Sequence, residues 1–557
     1  MKNLLLFVSV IASTSVNAQW SGDSKINIFL TDTAVTTNSG SSFTPRAINI
    51  GSDEVLITWA ISTINGNILS ANGNKQWEQY NTIGSSRSPG FIAGLTNQKL
   101  VSDGHDGAFM TWMEQQKHVI GGSHINLKDT ITWDEIICNS SGSAANPAIA
   151  PDGNGGAIIV WEDTRDGSGN SNIYAQRVSL SGELLWAANG VPVCKAAGDQ
   201  ILPDIATDSL GGAFITWQDS RTTTKKIFAQ RLMANGDVAW QADGIVICAL
   251  NDAALAPKIV STSKGEAIIT WTNPAAGGTW DIFAQKVNEE KVAWQDNGVP
   301  VCNAPLSQTE PAIIADGSGG AIISWTDTRV SFSNPDIYAQ SINSGGNPNW
   351  TVNGVPVCTA VDRQAAPALT TDGDHGAIIA WEDQRSGYYD IYAQRVNNQG
   401  TIMWSNNGEA VSTAEKDQRS VTIASDGKGG AVLAWQDFRN SVKWNIFTEG
   451  INNDGKLKKS NPTSNKPELS NGFILEQNYP NPWNTSTTIR YKLPTTLFTR
   501  LTVYNALGQQ ITQLVNEKQT VGDHEVVFDR NNLPLGAYFY QLQAGNISIK
   551  RKMILIQ

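Results

Sequence analysis

The sequence predicts an all-β protein, an eight-bladed β-propeller followed by an Ig-like β-sandwich, and three observations carry that expectation. A Trp closes a small-apolar stretch at Trp59, Trp112, Trp161, Trp217, Trp271, Trp325, Trp381 and Trp435, at intervals of 49 to 56 residues, close to the ~50-residue period of propeller blades. The 557 residues include 50 Gly and 19 Trp with only 16% charged residues, which suits short strands and tight turns better than charge-rich surface helices or disorder. After Gly455 the chain turns polar and Pro-containing, from Lys456 to Pro467, before a different set of strands begins. A formal net charge of -11 argues against a nucleic-acid partner, since phosphate binding needs a basic surface.

At the N-terminus, Lys2, the apolar stretch Leu4 to Ala12 and the small residues of Val16-Asn17-Ala18 read as a signal peptide over residues 1–18. The apolar run is too short to cross a bilayer, and no later segment approaches the roughly 18 apolar residues that a membrane helix needs. The expected product is exported and has no membrane-spanning segment.

The propeller is expected over residues 24–455. One copy runs Pro311 to Arg329, then Asp336-Ile-Tyr-Ala-Gln340, Trp350 and Asn353-Gly-Val-Pro-Val-Cys358. We read four strands per copy, a to d. Alternation in strand b puts Ala321, Ile323 and Trp325 on one face and Ile322 and Ser324 on the other. The Asp-Gly-x-Gly-Gly between a and b supplies residues that tolerate positive φ in a hairpin. The last copy lacks a strand d after Gly455, while Lys25 to Asp32 alternates upstream of the first copy. An N-terminal strand completing the last blade would remove an open sheet edge.

The five cysteines, Cys138, Cys194, Cys248, Cys302 and Cys358, hold the same place in successive copies. Equivalent points on neighbouring blades lie farther apart than the ~7 Å Cα limit for a disulfide, so buried free thiols are expected. None has a second metal ligand at close spacing.

Two groups of residues stand out for function. Trp-x-Asp-x-Arg recurs as Asp163/Arg165, Asp219/Arg221, Asp327/Arg329, Asp383/Arg385 and Asp437/Arg439, and the Trp271 copy breaks it with Asn273 and Ala275. Repetition argues that these pairs fix blade geometry, because a reaction centre needs different residues in defined places. The b–c loops vary while the strands do not, and they carry Trp280, Phe332, Tyr388, Tyr389, Phe438 and Trp444. Aromatics on a rim are platforms for sugar rings or peptide side chains. No nucleophile elbow, P-loop or dinucleotide fingerprint is present, and the sequence suggests no catalytic residue, metal or cofactor. A single carboxylate per Asp-Gly turn is poor calcium chemistry.

A linker is expected over 456–470 and a sandwich domain over 471–557. The latter contains Leu475-Glu-Gln-Asn-Tyr-Pro-Asn-Pro482, Thr487 to Pro494, Leu501 to Gly508, Leu533 to Leu542 and a terminal Lys552-Met-Ile-Leu-Ile556. These motifs resemble the type A C-terminal sorting domain of type IX secretion, with Trp483 standing where such domains often carry Phe. The resemblance implies passage through the outer membrane by engagement of the type IX machinery, with the cargo then surface-attached or released. The function expected for the cargo is a non-enzymatic binding or adhesion module for glycan or surface-protein ligands. The alternative is a secreted hydrolase acting on polysaccharide, built from acidic residues that no motif reveals.

Overall fold

The computed structural model describes residues 24, 27–30, most of 44–458 and most of 474–556, so the expected signal peptide lies outside the described residues. The remainder outside them is 19–23, 25–26, 31–43, 52, 61–63, 71–80, 85–94, 127–129, 168–169, 250–253, 276, 440–443, 459–473, 477, 480, 482, 506–508, 531–532, 545–546 and 557. The chain divides into two compact units, Met1–Ser460 and Asn461–Gln557.

The first unit is built from eight four-stranded antiparallel sheets. We number the blades 1 to 8 by their Trp, from Trp59 to Trp435. Strand a of each blade packs against strand a of both neighbours, and Arg46–Gly51 of blade 1 meets Gln418–Ser425 of blade 8, which closes the ring. In that last junction Ala47 N donates to Thr422 Oγ1 at 3.3 Å and Asn49 Nδ2 to Ser425 O at 3.0 Å. Blade 8 takes its outer strand from the N-terminus, with Ile28 opposite Thr448 and Phe29 opposite Phe447.

Apolar clusters lie between blades, as the alternation of strand b requires: Ile158 and Val160 of blade 3 pack with Ile215 and Trp217 of blade 4 in one core, and Ile322 of blade 6 with Ile379 and Trp381 of blade 7 in another. The Asn-Gly before strand d is fixed by two constraints. Asn353 and Gly354 have φ of 64° and 86°, and a Cβ on Gly354 would come within 2.6 Å of the Trp325 ring. Asn353 Oδ1 then accepts from Asn303 N of the preceding blade at 3.0 Å, so one turn both seats the Trp and ties two blades.

Residues beyond Gly455 still belong to blade 8. Asn452 N donates to Lys456 O, Leu457 bridges Ile451, and Lys458 Nζ pairs with Asp426 at 2.7 Å. The hairpin after strand c is retained in the copy that lacks its own strand d.

The five cysteines are free and buried. Burial pushes the thiols of Cys194, Cys302 and Cys358 up to about 12. Since the thiolate is the reactive form, iodoacetamide at pH 8 is expected to leave the native protein unlabelled and to modify five thiols after unfolding; rapid native labelling, or a disulfide in the unreduced mass, would contradict this.

The second unit has a three-stranded sheet of Ile474–Leu475, Ser486–Leu493 and Gly522–Asp529, and a four-stranded sheet ordered Gln510–Gln519, Leu497–Asn505, Gly536–Ala544, Ile547–Leu555. Trp483, Tyr491 and Tyr540 fill the core between them. Tyr540 Oη donates to Glu476 O and accepts from Asn478 N, both at 2.7 Å, which anchors the domain's opening segment.

Candidate functional site

Both ends of each blade carry charged side chains. At the end bearing the b–c and d–a loops, the Asp of the Trp-x-Asp-x-Arg motif is buried beneath its Arg. Asp383 accepts from the Trp381 indole at 2.8 Å, from Arg385 N at 3.0 Å and from Arg385 Nη2 at 2.5 Å. Arg385 Nη2 also reaches Cys358 Sγ at 3.1 Å and Asn407 O at 2.9 Å, and its guanidinium lies 3.9 Å from the Tyr392 ring centroid. The Trp–Asp and Arg–Asp bonds recur around Asp163/Arg165, Asp219/Arg221, Asp327/Arg329 and Asp437/Arg439. For Asp163, burial opposes ionisation, yet the bonds from Arg165 and Trp161 hold its carboxyl below the ordinary value. These pairs use their polar atoms within the ring of blades, which leaves little for a ligand.

Across the sheet from this network, Asp336 faces Asp327 and Asp390 faces Asp383. Burial first, and then the neighbouring charge, pushes both carboxyls up to about 6. A carboxyl raised by burial beside a second carboxyl is an arrangement used in acid–base catalysis. Asp336 and Asp390 are only 4% and 1% exposed, too enclosed to meet a polymer. Among the described residues no group of three or more His, Cys, Asp and Glu is placed to hold a metal.

The loop aromatics share this end but form no single surface. Phe332 and Tyr388 are 62% and 43% exposed. Tyr389 is covered by Arg419 at 3.6 Å from its ring centroid, Phe438 and Trp444 pack on each other at 5.1 Å, and Trp280 ends an extended hairpin opposite Pro274.

At the other end, the Asp of the a–b turn caps the turn amides, and in blades 3, 4 and 7 it pairs with an Arg on strand c: Asp152–Arg177 at 2.7 Å, Asp208–Arg231 at 3.0 Å and Asp372–Arg395 at 2.9 Å. Asp152 Oδ1, for example, accepts from Asn154 N and Gly156 N. Blade 5 differs, with Thr262 at the position of the Asp. Its Lys286 pairs instead with Glu266 at 2.8 Å. Trp294 follows Val287 by seven residues, whereas Trp240 follows Leu232 and Trp350 follows Ile342 by eight. The shortened turn coincides with a half-buried Trp294, where Trp186, Trp240, Trp350 and Trp404 are buried. Here a cleft of about 550 Å³ opens between blades 5 and 6, lined by Trp294, Glu266, Lys286, Gln295, Ser344 and Asn347 among others. Sequence reasoning missed this site; the signal was the one-residue deletion together with the lost turn Asp.

The comparisons with known proteins bear on the two units differently. Residues 477–557 match the family described as secretion system C-terminal sorting domain. That segment is a type IX sorting domain, and the protein is exported to the cell surface or beyond. Solved structures similar to the chain include an ulvan lyase described as a new polysaccharide lyase family, at 10% identity and TM-score 0.43, covering 79% of this chain and 96% of that one. A Hadza microbial sialidase aligns at 12% identity and TM-score 0.35 over 72% of this chain and 74% of its own. A Penicillium chrysogenum α-L-arabinanase complexed with arabinobiose aligns at 11% identity and TM-score 0.30 over 57% of this chain and 98% of its own. Likeness at this level carries no inference about substrate or chemistry. The comparison with curated proteins gives no match.

Proposed function

We propose that the chain is an exported glycan-binding propeller whose ligand lies against Trp294 in the cleft between blades 5 and 6. The observation that carries the reading is the half-buried Trp294 indole at the wall of a cavity of about 550 Å³, within the ~300–1,000 Å³ range of ligand sites. An indole face takes the C–H face of a sugar ring. Around it, the amides of Gln295 and Asn347 and the Glu266–Lys286 pair offer both donors and acceptors to hydroxyl groups. This places the ligand at the opposite end of the blades from the loop aromatics expected from the sequence.

The test is a glycan array on the purified full chain, followed by titration of the glycans retained. Trp294→Ala is expected to weaken binding about tenfold, the scale of one lost aromatic platform, while Phe332→Ala and Tyr388→Ala leave it unchanged. Loss of binding in the loop variants with Trp294→Ala unaffected would move the site to the loop face. Turnover of a retained glycan would put a hydrolase in place of a binding module.

A further inference from the structure

Blade 5 also departs from its neighbours at the loop end, independently of the cleft. In five blades the motif Arg sits on a constant seat. Its guanidinium lies 3.6 to 3.9 Å from the ring centroid of Tyr174, Phe228, Tyr338, Tyr392 or Phe447. In blades 3, 4, 6 and 7 its Nη2 donates to a backbone carbonyl of the turn before strand d, at Asn189, Asp243, Asn353 and Asn407.

The walls of that seat persist in blade 5. Phe283 stacks on Trp271 with centroids 6.1 Å apart, matching the 6.4 Å of Trp217–Phe228 and Trp381–Tyr392. Asn297 keeps a φ of 65° and its Oδ1 accepts from Ala249 N at 2.8 Å, so its carbonyl keeps the place of the others. Cys248 Sγ lies 3.4 Å from Asn273 Oδ1, as Cys138 Sγ lies 3.5 Å from Asp163 Oδ2. What differs is Ala275, which brings no guanidinium, and Asn273, which brings no charge.

Three further features point to a ligand. Ala275, Asp281 and Phe283 are half-buried and so reachable. Asp281, opposite Asn273 across the hairpin, supplies a carboxylate, and burial alone pushes it up to about 6. The buried Trp271 Nε1, whose counterparts donate to the motif Asp, has no hydrogen-bond partner, and a peptide carbonyl would satisfy it.

We propose that blade 5 binds a guanidinium group, the arginine side chain of a peptide ligand, over Phe283 between Asn297 O and the Asp281 carboxylate. Five other blades hold their own guanidinium in this place, so the ligand completes a geometry that the chain already uses five times.

The experiment is calorimetric titration of the full chain with N-acetyl-arginine methylamide and with its neutral isostere, the citrulline derivative. Saturable binding of the arginine compound is expected, with the citrulline compound about tenfold weaker because the charge-assisted contacts are lost. Asn273→Asp with Ala275→Arg, which restores the sequence of the other blades, should abolish binding by filling the seat from within. Asp281→Asn should weaken binding several-fold, and keeps the test decisive if the double variant fails to fold. Absence of saturable binding, equal affinity for both compounds, or full binding by the double variant would each overturn the proposal. Because the cleft at Trp294 is a separate site, Trp294→Ala should leave arginine binding intact.

Discussion

Asp383→Ala should destabilise the propeller by about 3 kcal/mol, the cost of breaking a buried ion pair by removing one partner. The substitution leaves the Arg385 guanidinium without its carboxylate and the Trp381 indole N–H without an acceptor, both in the blade interior. The double variant Asp383→Asn with Arg385→Ala should cost less than the single one, about 1 kcal/mol. It removes the charges together and forfeits the contact of the guanidinium with the Tyr392 ring and, on the precedent of blade 5, the bond of the Trp381 indole. Blade 5, with Asn273 and Ala275 in these positions, folds into the same four strands. The measurement is the urea midpoint of each variant at unchanged slope, the two compared directly. A double variant as unstable as Asp383→Ala would show that the pair is worth more than its mutual compensation.

The same chemistry explains what could be read from the sequence. Strands, turns and ring closure were legible because they are enforced locally in most copies: the Trp at the end of strand b, the Asp that caps its own turn, and the Asn-Gly that a Cβ would disrupt. The Trp-Asp-Arg motif was legible for the same reason. The state of the loop aromatics was not, since Tyr389 is covered by Arg419 from a different strand and Phe438 by Trp444 across its own loop. The cleft was hidden because Trp294 looks like its four counterparts. Only a count of the residues before it, seven in place of eight, separates a buried Trp from a half-buried one. The boundary drawn at Gly455 fell short because the turn after strand c packs on its own blade even when strand d comes from elsewhere, with Trp404 of blade 7 lying against Gly455.

A chain beginning at Thr31 should be about 5 kcal/mol less stable than one beginning at Ser24 and should self-associate more. Leu30, 4% exposed, packs among Val55, Ile57 and Trp59 of blade 1 and Val432 and Ala434 of blade 8, so it bolts the first blade to the last. Removing a buried Leu costs roughly 2–5 kcal/mol. Leu30 N donates to Ile446 O at 3.0 Å, extending the ladder of the last sheet. Asn27 adds a cluster of polar bonds at about 1 kcal/mol each: its Nδ2 donates to Val411 O at 3.0 Å, while its Oδ1 accepts from Ser412 Oγ at 2.9 Å and from Arg439 Nη2 at 3.0 Å. Arg439 thus finds on the N-terminal strand the oxygen that Arg385 finds on Asn407 O, and the blade 8 network is incomplete without it. Truncation also bares strand Asn445–Ile451 as an unpaired edge, the form of sheet most prone to pair with another copy. Size-exclusion chromatography and thermal unfolding of the two chains decide the matter. If the chain from Thr31 elutes like the chain from Ser24 with an unchanged melting temperature, the ring does not depend on the N-terminal strand for closure.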